Sequence, residues 1–249
     1  MKSLGIIPAR FDSTRFPGKP LIVIEGKSMI RRVYEQARKC LDLSRVVVAT
    51  DHEGILNHVR EFGGEAVMTA SSHKTGTERC AEALELVQEG EVDIEVVVNI
   101  QGDEPFINPE QISEVIRSFS YSNTAIATLA RRIQDPESLK DPNVVKLVFD
   151  HRHRVLYFSR SEIPYVREGS LPVGNREIPW FEHVGIYGFR KTVLQELIRL
   201  PVSSLERAES LEQLRWLQNG FEIYVCETNY DSISIDTPAD LLKLSNRRG

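Results

Sequence analysis

Ile94-Glu95-Val96-Val97-Val98-Asn99-Ile100 is the most apolar strand-sized run in the chain, and Gln101-Gly102-Asp103-Glu104-Pro105 follows it directly. A short apolar run of this kind, rich in β-branched residues and closed by turn formers, predicts a strand buried on both faces at the centre of a sheet. Toward the N-terminus the signals alternate. Ser3–Pro8 reads as a strand, Arg45–Thr50 as a second, and Glu65–Met68 as a third after a Gly63-Gly64 turn. Helical patterns separate them. Ile30, Val33, Tyr34, Ala37 and Leu41 share one face behind Ser28 as N-cap; Ile55, Leu56, Val59 and Phe62 share the next; Cys80, Leu84 and Val87 share a third. Toward the C-terminus, Asn108-Pro109-Glu110-Gln111 opens another helix with a capping-box pattern and proline at the first helical position. This βαβα order predicts an α/β fold: a mainly parallel central sheet with helices on both faces.

The second half is less regular. Ala125–Arg131, Val144–Asp150, His183–Phe189 and Glu222–Cys226 read as strands, and Asp150–Arg154 as a turn into Val155–Phe158, a hairpin. His151 and His153 in that turn read as solvated. Ile163–Trp180, with Pro164, Pro172, Pro179, Gly169 and Gly174, is a long loop of a length that is usually functional. Helices are expected at Lys191–Leu200, over Leu205–Leu217 up to Gly220, and from Thr237-Pro238 onward. No repeat, low-complexity tract or composition shift marks a boundary.

The 249 residues hold 31 Lys plus Arg against 36 Asp plus Glu, a net charge of −5, which excludes a general nucleic-acid binder because that needs a basic footprint. The longest apolar stretches, Leu21–Ile24, Val46–Ala49 and Val96–Val98, fall far short of the ~18 residues of a membrane helix. After Met1-Lys2-Ser3 only six uncharged residues precede Arg10, too few for a signal peptide. Cys40, Cys80 and Cys226 are scattered without a CxxC, so neither a disulfide framework nor a zinc site is expected, and a reducing cytoplasm suits the chain.

In parallel sheets of this kind, ligands bind beyond the carboxyl ends of the strands. That rule selects the loops Ala9–Pro20, Ala70–Thr77 and Gln101–Phe106. The first places Arg10, Arg15 and Lys19 within ten residues, among Ser13, Thr14 and Gly18. Guanidinium forks, an ammonium and free backbone N–H groups suit a polyphosphate. The loop is not GxGxxG, and Gly26-Lys27-Ser28 is not the end of a P-loop because Leu21 stands where the upstream glycine belongs; it reads as a turn and an N-cap. Gly102 permits close backbone approach. Asp103, a hard oxygen donor at a strand end, could hold Mg²⁺ or simply belong to a turn. Asp236, after Ile233-Ser234-Ile235, could be a second donor or could support the N-terminus of the helix at Thr237-Pro238.

Pro8-Ala9-Arg10-x-x-Ser13-Thr14-Arg15-x-Pro17-Gly18-Lys19-Pro20-Leu21, Ala49–Glu53, Thr75-Gly76-Thr77-Glu78-Arg79 and Asn99–Pro105 together resemble the sugar-acid cytidylyltransferases. Tyr157–Ser161, His183–Phe189, Leu211–Arg215 and Asp236–Leu241 narrow the resemblance to the 3-deoxy-D-manno-octulosonate (Kdo) group within them, in order and over nearly the whole chain. The resemblance implies a Rossmann-like nucleotide-diphospho-sugar transferase fold. It implies one domain over 1–249, with a β-hairpin and loop subdomain at about 131–190 covering the sugar site and a dimer contact. It further implies CTP and Kdo as substrates, CMP-Kdo for lipopolysaccharide biosynthesis as product, Mg²⁺, a homodimer and no membrane insertion. Carried onto this chain, Arg10, Arg15 and Lys19 hold the triphosphate; Pro8, Ala9, Thr75, Gly76, Arg79, Gln101 and Gly102 surround the nucleotide; Asp103 and Asp236 hold the metal. Gln101, Arg160, His183, Tyr187, Glu212 and Gln213 line the sugar pocket, with a core strand histidine as the alternative reading of His183. Lys19, Arg15, Asp103 and Asp236 carry the catalytic roles. A cytidylyltransferase for 8-amino-Kdo or another nonulosonate, and a non-catalytic nucleotide-binding module, are the alternatives.

Overall fold

A computed structural model describes residues 1–12, 16–88, 93–121, 123–167, 179–232 and 234–241. The expected triphosphate ligand Arg15, with Ser13 and Thr14, and the central part of the 163–180 loop lie outside the described residues. The chain divides into two compact units, Met1–Ser113 with Asp231–Gly249, and Glu114–Tyr230, the second being wider than the 131–190 insertion expected from sequence.

The first unit runs β1 (Ser3–Ala9), β2 (Val23–Ile24), β3 (Lys27–Ser28), α1 (Met29–Ala37), β4 (Arg45–Thr50), α2 (Glu53–Glu61), β5 (Ala66–Met68), α3 (Gly76–Gln88) and β6 (Val96–Asn99). Strands β6, β1, β4 and β5 lie side by side in that order, all parallel. Val96, Val97 and Val98 are completely buried, as expected of the most apolar run. Met29, Ile30, Val33 and Ala37 are likewise removed from water, so the 3.6-residue stripe of α1 is its core face, each large side chain contributing roughly 1.5–3 kcal/mol. Ser28 caps α1 by accepting from Arg31 N. The Glu25-Gly26 pair, both with positive φ (46° and 79°), makes the two-residue turn between β2 and β3. That is why Gly26-Lys27-Ser28 mimics a phosphate loop without being one. Then α4 (Pro109–Arg117) carries the chain onward; its start is locked as expected, Gln111 Oε1 accepting from Asn108 N and Asn108 Oδ1 from Glu110 N.

The second unit holds β7 (Ile126–Arg132), α5 (Pro136–Lys140), β8 (Lys146–Phe149), β9 (Val155–Ser159), β10 (Phe181–Arg190), α6 (Lys191–Leu197), α7 (Ser204–Glu209), α8 (Gln213–Gln218) and β11 (Ile223–Glu227). β7 has β11 parallel on one side and β10 antiparallel on the other, while β8 pairs antiparallel with both β10 and β9. The hairpin turn is solvated as expected: His151 and His153 are exposed, and Asp150 Oδ1 accepts from Arg152 N and Arg154 N. The single helix expected over Leu205–Leu217 is two. Ser210 adopts left-handed backbone (φ 52°, ψ 47°), which ends α7 and restarts the chain into α8. Hydrophobic periodicity passes through such a break unaltered, so the sequence conceals it.

Candidate active site

The three loops selected by the strand-end rule meet in the first unit. A cleft of about 450 Å³ is lined by Pro8, Ala9, Arg10, Asp12, Lys19 and Pro20 from the first, Lys74, Thr75 and Gly76 from the second, Gln101, Gly102 and Asp103 from the third, and Asp236. Asp12, Pro20 and Lys74 were not singled out from sequence; Lys74 could have been, as the cation of a loop already selected by position.

Backbone close approach shapes the cleft floor. A Cβ on Gly102 would sit 2.7 Å from Pro8 O, so only glycine lets the third loop lie against the end of β1. Gly76, at the start of α3, would meet Pro8 Cγ at 3.3 Å. Thr75 caps that helix: its hydroxyl accepts from Glu78 N at 3.1 Å while Glu78 Oε2 accepts from Lys74 N at 2.6 Å and Thr75 N at 3.3 Å. The first loop is tied at its far end by Gly18 N donating to Phe11 O (2.9 Å), Gly18 standing at φ 70°, and the Phe11 ring stacks on His52 at 4.0 Å.

The charges converge on one atom. Lys19 Nζ lies 2.7 Å from Asp103 Oδ2 and 3.2 Å from Asp236 Oδ1. Of the two readings of Asp236, helix support is taken by another residue: Asp240 Oδ2 accepts from Asp236 N, Thr237 N and Thr237 Oγ1, leaving the Asp236 carboxylate turned toward Lys19. Ile235 N donates to Asp103 O (2.9 Å), which ties the two acidic segments together. Beside them Glu104 is buried, with one carboxyl oxygen lacking any hydrogen bond. Burial, and secondarily the charge of Asp103, pushes its pKa up to about 7, against a hydrogen bond with Ser232 that lowers it.

Two carboxylates of different loops on one monovalent cation form a hard-oxygen donor pair, the kind Mg²⁺ selects. Among the described residues no cluster of three or more potential protein ligands forms, so the pair fits a metal that takes its remaining oxygens from phosphate and water, not a closed protein cage. A second cleft, of about 460 Å³ in the other unit, contains Asp150 and Glu227, but their carboxylates are paired with Arg154 and Arg132.

Three other expected residues, Arg79, Arg160 and His183, do not line this cleft. Arg79 is completely buried under the second loop, its guanidinium donating to Asp51 Oδ2 (2.7 Å), Thr69 Oγ1 (2.6 Å) and Ala70 O (3.4 Å). It ties the segments carrying Asp51, Thr69 and Ala70 together. Arg160 donates to the carbonyls of Glu209 (2.7 Å), Pro142 (2.9 Å) and Ser210 (3.4 Å). The organiser there is Glu209, whose carboxylate accepts from Ser159 Oγ (2.8 Å) and Arg160 N (2.9 Å). No motif in the sequence points to it. His183 is half-buried between Phe158 and Tyr187, and burial lowers its pKa to about 3.

Tyr187 is buried with its hydroxyl unpartnered, and burial, with the charge of Glu212, raises its pKa well above the usual phenol value. Glu212 precedes α8, and Gln213 is its buried first residue. Tyr187, Glu212 and Gln213 stand in the second unit with His183, and Gln101 stands in the first.

No described helix is long and apolar enough to cross a membrane. The cytidylyltransferase family model matches residues 4–223. The 3-deoxy-manno-octulosonate cytidylyltransferase of Parabacteroides distasonis is 49% identical over 255 residues, covering 99% of this chain and 100% of its own. That of Porphyromonas gingivalis is 50% identical over 243 residues, covering 96% and 94%. The solved CMP:2-keto-3-deoxy-manno-octonic acid synthetase complexed with CTP superposes with a TM-score of 0.90 at 38% identity over 100% of this chain and 98% of that one. The 4-diphosphocytidyl-2C-methyl-D-erythritol synthase of Anaerococcus prevotii, at 13% identity and a TM-score of 0.60 over 99% and 97%, shares the fold.

Proposed function

Because this chain belongs to the 3-deoxy-manno-octulosonate cytidylyltransferase family, we propose that it transfers CMP from CTP to the anomeric hydroxyl of Kdo, releasing diphosphate and supplying activated sugar for lipopolysaccharide synthesis. The observation that carries the reading is the Lys19 ammonium bridging Asp103 and Asp236 at a cleft walled by three strand-end loops.

The step is an in-line displacement. The anomeric oxygen bonds to the α-phosphorus, the bond from that phosphorus to the bridging oxygen breaks, and the hydroxyl proton leaves to solvent. No serine or cysteine of the cleft is asked to form a covalent intermediate. Arg10 and Lys19, with Arg15, bind the phosphates, and the backbone of Pro8 and Ala9 with Thr75, Gly76, Gln101 and Gly102 forms the nucleotide bed. Lys19 neutralises charge on the departing diphosphate. Asp103 and Asp236 are the residues that would hold Mg²⁺, which would supply Lewis-acid polarisation of the phosphate and acidify the sugar hydroxyl. Tyr187, Glu212 and Gln213 contact the sugar, and His183 does so as a neutral group. Catalysis is then positioning and charge stabilisation.

The test is diphosphate release measured with Kdo and Mg²⁺ against each of the four nucleoside triphosphates. Release with CTP alone is expected; equal release with all four, or none with CTP, sinks the assignment. The same reading carries a homodimer in the cytoplasm, and light scattering that returns the mass of one chain would remove the dimer.

A further inference from the structure

In the second unit, β10 is interrupted by a bulge. Its register against β7 pairs Val184 with Leu129 but Tyr187 with Thr128, so Gly185 and Ile186 are extra. A bulge leaves carbonyls without ladder partners, and here one side chain of the opposite strand meets them. Thr128 is completely buried, and its Oγ1 lies 2.7 Å from Ile186 O, 3.3 Å from Val184 O and 2.9 Å from His183 Nε2.

A threonine hydroxyl has one proton and two lone pairs, whereas a carbonyl only accepts. The 2.7 Å contact with Ile186 O has the usual length of an O–H···O hydrogen bond, so the proton lies there. Pointing it at the imidazole would leave two oxygen lone pairs facing each other at 2.7 Å in a buried strand pair. Thr128 Oγ1 is therefore an acceptor toward His183, and the imidazole must bring the proton on Nε2. A neutral ring carries one N–H, so Nδ1 holds the lone pair. Among the described residues Nδ1 has no hydrogen-bond partner, and the backbone N–H of His183 is bound to Val145 O.

We propose that Thr128 is a positioning residue that fixes the tautomer of His183, so that Nδ1 is presented as an acceptor for a hydroxyl hydrogen of the sugar substrate. A lone pair in that place accepts from a hydroxyl and repels a carboxylate. This deepens the sugar-contacting role given to His183 above and rests on it. The bulge, which looks like an irregularity of the strand, then serves recognition: its freed carbonyls orient the Thr128 proton, and the Thr128 oxygen orients the ring.

The experiment uses the full chain labelled with ¹⁵N-histidine, two-bond ¹H–¹⁵N correlation spectra assigning His183 by its loss in His183→Gln. The wild type should show one neutral tautomer with Nε2 protonated and Nδ1 bare. Thr128→Val, nearly the same shape without the hydroxyl, should give a mixture of tautomers and raise KM for Kdo about tenfold with KM for CTP unchanged. Thr128→Ser should restore both. A wild-type spectrum with the proton on Nδ1 overturns the proposal without any variant needing to fold. So does a Thr128→Val protein that keeps the tautomer, or that changes it with no change in sugar KM. Failure of the transfer reaction itself shows separately, as absence of diphosphate release by the wild type, and leaves the tautomer spectrum to decide the Thr128 contact.

Discussion

Lys19 directs its ammonium at two carboxylates, and Arg79 directs its guanidinium at a carboxylate and two uncharged oxygens, yet the two cations do different work. Lys19 sits at the edge of a cleft, where its contacts are exchangeable with solvent and ligand. Arg79 is fully buried, where leaving Asp51 without its partner would strand a charge. Asp103→Asn should therefore lower CTP-dependent turnover roughly 100–1,000-fold while moving Tm by no more than about 4 °C, because a part-exposed pair contributes only about 0–1 kcal/mol. Arg79→Lys should do the reverse: a loss of about 2–3 kcal/mol, seen as a Tm lowered by roughly 4–12 °C, since an ammonium cannot reproduce the fork. Turnover assays and thermal melts on both proteins check this, and an Arg79→Lys protein with unaltered Tm but a raised KM for CTP would return Arg79 to the nucleotide site. The sequence placed Arg10, Lys19 and Asp103 because loop position and residue type suffice for them. It did not reveal the burial of Arg79, because its partner, Asp51, belongs to another loop, and no spacing rule pairs them.

At the scale of elements, legibility follows the type of signal. Strands β1, β4 and β6 were readable within a residue or two, since parallel strands buried on both faces are continuous apolar runs. The starts of α1 and α4 were readable from their caps. What escaped are departures from regularity made by single residues: the bulge in β10 and the break between α7 and α8. Neither changes hydrophobic periodicity, and both position side chains that matter, Thr128 with His183 in one case and Glu209 with Arg160 in the other. Ser210 takes left-handed backbone with a Cβ to accommodate, which costs a non-glycine residue energy that glycine does not bear. Ser210→Gly keeps the carbonyl that Arg160 uses and should raise stability by about 0.5–1 kcal/mol, or roughly 1–4 °C in Tm. A lowered Tm in a differential scanning experiment would mean that the serine side chain contributes more than its backbone strain removes.

For the whole molecule, a net charge of −5 argues against a general nucleic-acid binder and says nothing of where charge is concentrated. The structure gathers Arg10, Lys19, Lys74, Asp12, Asp103 and Asp236 around one cleft, and charge of both signs suits a ligand that is itself a metal-bound polyanion. Glu104 and His183 then give stability a pH dependence with opposing parts. Glu104, raised to about 7 in the folded protein from the ordinary 4.5, binds its proton more tightly when folded, so its contribution grows as pH falls from about 7 toward 4.5. His183, lowered to about 3 from 6.5, binds its proton less tightly when folded, so stability is lost as pH falls through 6.5 toward 3. Between pH 6.5 and 4.5 the two slopes, each at most about 1.4 kcal/mol per pH unit, oppose each other, and the wild type should be flat with respect to this pair. Glu104→Gln removes one of them. Above pH 7 the variant lacks a buried carboxylate charge and should be the more stable protein. Below pH 6.5 it should lose stability more steeply than the wild type, as the histidine slope is no longer offset. Urea unfolding at pH 7.5, 6.5, 5.5 and 4.5, in chelator and without nucleotide, measures both curves. Parallel curves would show that Glu104 titrates alike in the folded and unfolded chain, and that its burial beside Asp103 leaves its proton affinity unchanged.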